Sequence, residues 1–205
     1  MSAKVKIRYL LMFLIPHMLI YFLLQRLFST NEYNFLTPPD RWIPFLPEFI
    51  WAYHSLIPVI CFTVIILLKS RKDFFTCYFA CLVAAISLTA FYILFPSFYP
   101  REELSGSSTS LWLVEVTRLF DHANNTFPSS HVTFSWLMYL SAKCSNLSKR
   151  FKPLVPMYWV WAAIVTASTL FLKQHYIVDV LSGIILANLS YYLSMRLVKK
   201  IRYEE

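Results

Sequence analysis

Residues 74–95 read FFTCYFACLVAAISLTAFYILF, a run of 22 residues without a charged side chain. A helix rises ~1.5 Å per residue and the hydrocarbon core of a bilayer is ~30 Å thick, so about twenty apolar residues are enough to cross it. The run therefore predicts a membrane-spanning helix. Similar runs lie at 9–24, 49–68, 131–142 (continuing to about Cys144), 154–172 and 176–197. Together they predict an all-α, polytopic membrane protein with six transmembrane helices, folded as a single integral-membrane domain over residues 1–205. No small-residue cleavage site follows the first run, which reads as a spanning helix and not as a removed signal.

Composition agrees with that architecture. The 205 residues are 58% hydrophobic and 15% charged, whereas a soluble domain carries about a quarter charged residues. A water-soluble globular protein is excluded. Gly106 and Gly183 are the two glycines of the chain, which excludes Gly-rich phosphate loops and dinucleotide folds, since both need glycine's freedom at positive φ.

The net charge of +8 could signal nucleic acid, an anionic membrane surface or an anionic substrate. Six spans place Lys4, Lys6, Arg8, Lys69, Arg71, Lys72, Lys143, Lys149, Arg150, Lys152, Arg196, Lys199, Lys200 and Arg202 on one side. Arg26, Arg41, Arg101, Arg118 and Lys173 fall on the other. By the positive-inside rule the crowded side, with both termini, is cytoplasmic. Most of the charge is thus an orientation signal, and no nucleic-acid partner is implied. Cys61, Cys77, Cys81 and Cys144 lie in or at the ends of spans without histidine at zinc spacing, so they read as small buried hydrophobes and no metal is expected.

Two external connections are long. Residues 26–48 carry Pro38, Pro39, Pro44 and Pro47 with Trp42 and Phe45, the pattern of an irregular loop with interfacial aromatic anchors. Within 96–130, apolar Leu111, Leu113, Val114, Val116, Leu119 and Phe120 recur at three-to-four spacing. They predict a short interfacial helix between the third and fourth spans, most simply a lid.

Three clusters fall at the same membrane face: Tyr99-Pro100-Arg101, Phe127-Pro128-Ser129-Ser130-His131, and Lys173-Gln174-His175-Tyr176-Ile177-Val178-Asp179. His175 and Asp179, four apart at a helix start, share one face, so the carboxylate can fix the imidazole tautomer and leave the other nitrogen free as base or nucleophile. The bland alternative is a helix-stabilising pair. Ser129, Ser130 and His131 follow Pro128 at another helix start, where free N–H groups and hydroxyls suit an anion; ordinary capping is the alternative. A second histidine at the depth of His175 could protonate a leaving group. Arg101 and Lys173 are candidate phosphate clamps, with interfacial snorkelling as the competing role. His17 and His54 lack a local acidic partner and read as packed or hydrogen-bonded helix histidines.

These residues carry a resemblance. Pro128-Ser129-Ser130-His131 and Ser168-Thr169-x5-His175-x3-Asp179 resemble the second and third signatures of the type 2 phosphatidic acid phosphatase superfamily, Pro-Ser-Gly-His and Ser-Arg-x5-His-x3-Asp. The likeness covers roughly residues 74–190, with the motifs within 99–183. It implies that His175 is a nucleophile forming a phosphohistidine, Asp179 its orienter and His131 the general acid. It further implies that Ser129, the N–H groups around Ser130, and Arg101 hold phosphoryl oxygens, with no metal or other cofactor. The first signature, Lys-x6-Arg-Pro, keeps Arg101 but has Leu94 for lysine and Glu102 for proline; Thr169 stands at the arginine of the third and Ser130 at the glycine of the second. Lys173 is the candidate replacement for the missing cations, and Thr169, at the motif position, is expected among the substrate-binding residues.

The stretch from Asp121 to His131, with Lys173-Gln174-His175-Tyr176-x2-Asp179-Val180-x2-Gly183, is similar to the branch that includes inositol-phosphorylceramide-synthase-like phosphotransferases, alongside bacterial lipid phosphatases. The resemblance implies a metal-independent phosphoric ester hydrolase acting on a lipid phosphomonoester or pyrophosphate. Its setting would be a bacterial inner membrane with the site facing the periplasm or exterior. A lipid phosphotransferase using a hydroxyl acceptor is the alternative, and a non-catalytic binding or transport protein the third reading. The expected partner is a phosphorylated lipid; headgroup, tail and oligomeric state are not written in the sequence. Asn124-Asn125-Thr126 matches a glycosylation acceptor but sits too close to the motif to be used.

Overall fold

The computed structural model describes residues 1–27, 33–101 and 103–200; Glu102 and Arg202 lie outside them. The described chain is helical. Isolated bridges pair Tyr33 with Ser97 and Phe98 with Asn124, and no strand forms among the described residues. In chain order the elements are α1 (Ala3–Leu27), α2 (Pro47–Leu67), α3 (Arg71–Leu94), α4 (Thr109–Phe120), α5 (Ser130–Cys144), α6 (Leu154–Phe171) and α7 (Ile177–Lys200).

Local chemistry sets several boundaries. Ser70, Ser108 and Ser129 cap α3, α4 and α5, their hydroxyls accepting the N–H of Asp73, Leu111 and Val132 at 3.0, 3.1 and 3.4 Å, which satisfies donors that a helix start leaves open. Within α2 the α-helical pieces Ile50–His54 and Leu56–Phe62 meet at Ser55. Pro58 explains the break: it offers no N–H to the His54 carbonyl, and its ring would crowd that carbonyl in a continuous helix. The Ser55 hydroxyl donates to the Ala52 carbonyl at 2.6 Å and accepts the Trp161 indole N–H at 2.9 Å, tying the break to α6.

Among the described residues, five helices are long and apolar enough to cross a membrane: α1, α2, α3, α6 and α7. The expected fourth span is α5, only 15 residues; at ~1.5 Å per residue it is about 22 Å long, shorter than the ~30 Å hydrocarbon core. It lies at the centre of the bundle, packed against α3, α6 and α7. Between α3 and α5, where the interfacial helix is expected, the chain forms the helix α4.

The packing is that of a membrane protein. Ala80, Ala84, Ala162 and Ala187 are fully buried where helices meet, and Ser135, Ser168, Ser190 and Ser194 are buried with them. Large apolar side chains such as Leu19, Ile86, Ile185 and Leu189 face outward. Close small-residue contacts and inward hydroxyls suit helices whose outer surface is solvated by lipid. In water that exposed surface would be an aggregation liability.

Side-chain contacts fix which helix ends lie together. Lys6 near the start of α1 donates to the Ile65 carbonyl at 2.9 Å, and the Asn146 N–H donates to Asp73 at 3.1 Å, marking one end. At the other, Asp121 accepts hydrogen bonds from Tyr21, Gln25 and Tyr53. His175 reaches Thr126 at that same end.

Candidate functional site

The turn before α7 is held from several directions. Thr169 ends α6 with its hydroxyl donating to the Thr166 carbonyl at 2.8 Å, so its side chain is committed to its own helix. Its carbonyl accepts the N–H groups of Gln174 and His175 at 3.0 and 3.2 Å. Lys173 sits at φ +54° in this turn. Its buried ammonium donates to the Asp40 carbonyl at 3.2 Å.

Asp40 was not singled out by its sequence context, yet it organises this end. Its Oδ2 accepts the Thr37 N–H at 2.8 Å and its Oδ1 accepts the Ile177 N–H, the first donor of α7, also at 2.8 Å. Thr37-Pro-Pro-Asp40 has capping-box spacing and was a usable signal for the local half of this arrangement. Nothing local marks the long-range half.

His175 is 7% exposed. Its Nδ1 lies 2.8 Å from the Thr126 carbonyl and 3.5 Å from Asp179 Oδ2. A carbonyl only accepts, so the proton of the neutral ring is on Nδ1 and Nε2 carries the free lone pair. The spacing of His175 and Asp179 predicts that Asp179 sets the tautomer; in the structure the Thr126 carbonyl makes the shorter contact. The main hydrogen bond of Asp179 Oδ2 is to the Tyr176 N–H at 2.8 Å, the return half of a capping box. Asp179 is fully buried, and its charge lies next to the imidazole.

Thr126 is itself positioned. The Ser97 hydroxyl oxygen accepts both the Thr126 hydroxyl and the Phe127 N–H at 2.9 Å. Phe127-Pro128 is a cis peptide. The Tyr92 hydroxyl donates to the Pro128 carbonyl at 3.2 Å, linking the turn to α3.

The α5 start abuts the α7 start. The Ser129 N–H donates to the Asp179 carbonyl at 3.1 Å, while the Ser129 carbonyl accepts the Thr133 N–H and hydroxyl at 3.0 and 2.8 Å. Gly183 makes the approach possible: a Cβ there would lie 2.9 Å from the Ser129 carbonyl oxygen and 3.2 Å from Val132 Cβ. Among the described residues the N–H groups of Ser130 and His131 have no hydrogen-bond partner, so this helix start keeps donors for an anion. The Ser129–Asp179 contact thus brings together the two helix starts that carry His131 and His175.

Arg101 lies between these ends. Its guanidinium donates to the carbonyls of Arg118 and Asp121, at 3.1 Å for the first, and to Gln174 Oε1 at 3.2 Å. Burial pushes its pKa below the ordinary guanidinium value, and the nearby Asp121 carboxylate opposes that shift. Leu94, at the missing lysine, is 65% exposed. Asn124 is buried with its amide donating to the Gln25 carbonyl at 2.8 Å, a poor setting for a glycan.

His131 lines a cavity of about 290 Å³. Apolar side chains of α1, α2, α4 and α5 form most of its wall, among them Phe13, Ile57, Leu113 and Phe134, and its polar lining includes Tyr53, Thr117, Asp121, Ser130 and His131. His175, Lys173, Arg101 and Thr169 do not line it. His17 and His54 do, in the roles expected of helix histidines: His17 stacks on Phe13, and His54 Nε2 lies 2.8 Å from the Thr117 hydroxyl oxygen. That hydroxyl donates to the Leu113 carbonyl at 2.7 Å, so His54 is the donor in their bond.

A helical membrane protein with two histidines at adjoining helix starts is thus defined by the fold and site. The family model of the PAP2 superfamily matches residues 91–203, more than half of the chain, and the chain belongs to that superfamily. Its members are phosphoric ester hydrolases or phosphotransferases. No curated protein and no solved structure matches the chain.

Proposed function

We propose that this protein is a metal-independent lipid phosphatase that works through a phosphohistidine. The observation carrying the reading is the largely apolar cavity with His131 and Ser130 in its wall, which His175 does not line. A lipid alcohol in the cavity would present its leaving oxygen to His131, and its phosphoryl group would project towards His175.

In the first step His175 Nε2 attacks phosphorus, a P–N bond forms, the bond to the lipid oxygen breaks, and that oxygen takes a proton from His131. In the second, water attacks the phosphohistidine, His131 takes back a proton, and phosphate leaves. Asp179 stabilises the charge that develops on His175. Arg101, Ser129 and the open N–H groups of Ser130 and His131 hold phosphoryl oxygens, and Lys173 adds positive charge to the turn; the carbonyl of Thr169 places that turn.

In this reading residues 1–205 are one domain with six crossings. α5 crosses inside the bundle, where protein and not lipid surrounds its ends, and α4 lies at the interface over the cavity. The charge asymmetry supports cytoplasmic termini and a site at the opposite face, and in this reading that face is the periplasmic or outer side of a bacterial inner membrane.

The test is product analysis with purified protein in detergent and chelator, using lipid phosphates labelled in the phosphoryl group. Release of free phosphate, lost in His175→Ala, is the expected result. Label passed to a second lipid or alcohol would convert the assignment to a phosphotransferase of the inositol-phosphorylceramide-synthase-like kind. Binding without turnover would leave a transport or scaffold protein.

A further inference from the structure

The two histidines are anchored in different ways. Among the described residues neither ring nitrogen of His131 has a hydrogen-bond partner, so nothing of the kind that orients His175 acts here. What holds the ring is its face. Tyr53 stacks on it with centroids 3.7 Å apart and planes 20° from parallel.

Tyr53 is buried, 3% exposed, and held at both ends. Its ring packs in the cluster with Ile50, Val114 and Leu172. Its hydroxyl donates to Asp121 Oδ2 at 3.1 Å. Asp121 is fixed in turn, Oδ1 accepting from Tyr21 and Gln25 of α1, each at 2.7 Å. Three neutral donors from two helices thus converge on one carboxylate beside the cavity. The Asp121 carbonyl accepts from Arg101, whose guanidinium also reaches Gln174 next to His175.

We propose that Tyr53, braced by Asp121, is the positioning residue for His131. The proposal rests on the reading of His131 as the proton donor. The stacked face blocks rotation of the imidazole about its Cβ–Cγ bond and so fixes the ring plane in the wall of the cavity. Asp121 supplies the brace that a lone tyrosine at a broken helix would lack, because α2 is interrupted at Ser55, two residues further on.

Leaving-group dependence provides the test. Expulsion of an alkoxide needs a proton donor, whereas expulsion of p-nitrophenolate does not. Wild type, His131→Ala, Tyr53→Leu and Tyr53→Phe are compared on a long-chain alkyl phosphate and on p-nitrophenyl phosphate, with elution volume and melting temperature recorded for each. His131→Ala should lose ~100-fold or more in kcat on the alkyl ester and far less on the aryl ester, the usual range for a removed general acid. Tyr53→Leu should reproduce that selectivity at smaller size, about ten-fold, in kcat and not in KM. Tyr53→Phe, which keeps the stacked ring but loses the bond to Asp121, should show the same selectivity at a loss between those of wild type and Tyr53→Leu. Equal loss on both esters in Tyr53→Leu, or no loss, while His131→Ala stays selective, would overturn the positioning role and leave the proposed function intact. A His131→Ala variant without selectivity would remove the proton-donor assignment and the positioning role together.

Discussion

The starts of α7 and α5 carry one histidine each, and they are built to opposite plans. At α7 the imidazole of His175 is tied by Nδ1 to the Thr126 carbonyl, lies against buried Asp179, and sits in a turn held by the Thr169 carbonyl and by Asp40. At α5 the imidazole of His131 is held by the face of Tyr53 and borders an apolar cavity. A nucleophile needs one fixed tautomer and one free nitrogen. A group that gives and retakes a proton must alternate between protonation states, and a stacking contact tolerates both. The two modes of restraint thus match the two roles proposed for the rings.

Breaking the α7 side should have the largest effect. His175→Ala removes the proposed nucleophile, and a loss of ~10⁴-fold or more in kcat is expected, read as phosphate release with folding checked by elution volume. Asp179→Asn is the sharper probe. If the carboxylate alone chose the tautomer, the loss would approach that of His175→Ala. Because the Thr126 carbonyl also holds the Nδ1 proton, the expected loss is smaller, about 10–100-fold, the range of an orienting partner.

Gly183→Ala tests the contact between the two helix starts. Alanine is intrinsically better in a helix by ~1 kcal/mol, but its Cβ would lie 2.9 Å from a backbone oxygen that Thr133 holds in place. Overpacking of this kind costs ~1–3 kcal/mol, so a lower melting temperature is expected together with reduced kcat. Ser97→Ala should act least. It removes the acceptor shared by the Thr126 hydroxyl and Phe127 N–H, worth ~1–3 kcal/mol when a buried donor is left unpaired. The loss should fall on His175 positioning and leave selectivity between alkyl and aryl esters unchanged, unlike Tyr53→Leu.

Much of this was legible along the chain. Apolar runs marked α1, α2, α3, α6 and α7 because a membrane helix must satisfy its backbone internally and show lipid an apolar surface. The spacing of His175 and Asp179 placed them on one face, and Ser129 announced the α5 cap. α5 was harder to size, since a helix packed inside a bundle needs no full-length apolar run. The supports around the site were not legible: Asp40, Ser97, Thr126 and Tyr53 act across 29 to 137 positions of sequence, and local periodicity carries no trace of such partners. Thr126 acts through its carbonyl, a group every residue owns. Pro58 was the one signal for the break in α2, and its effect is felt at His54, a turn earlier.

The most direct measurement is rapid mixing of protein with a labelled lipid phosphate, followed by an alkaline quench that preserves phosphohistidine and mass-spectrometric mapping of the phosphorylated peptide. The expected result is transient phosphate on His175, absent in His175→Ala and formed with an aryl phosphate even in His131→Ala. Phosphate on another residue, or steady turnover with no phosphorylated peptide at any time point, would contradict the assignment of His175 as nucleophile.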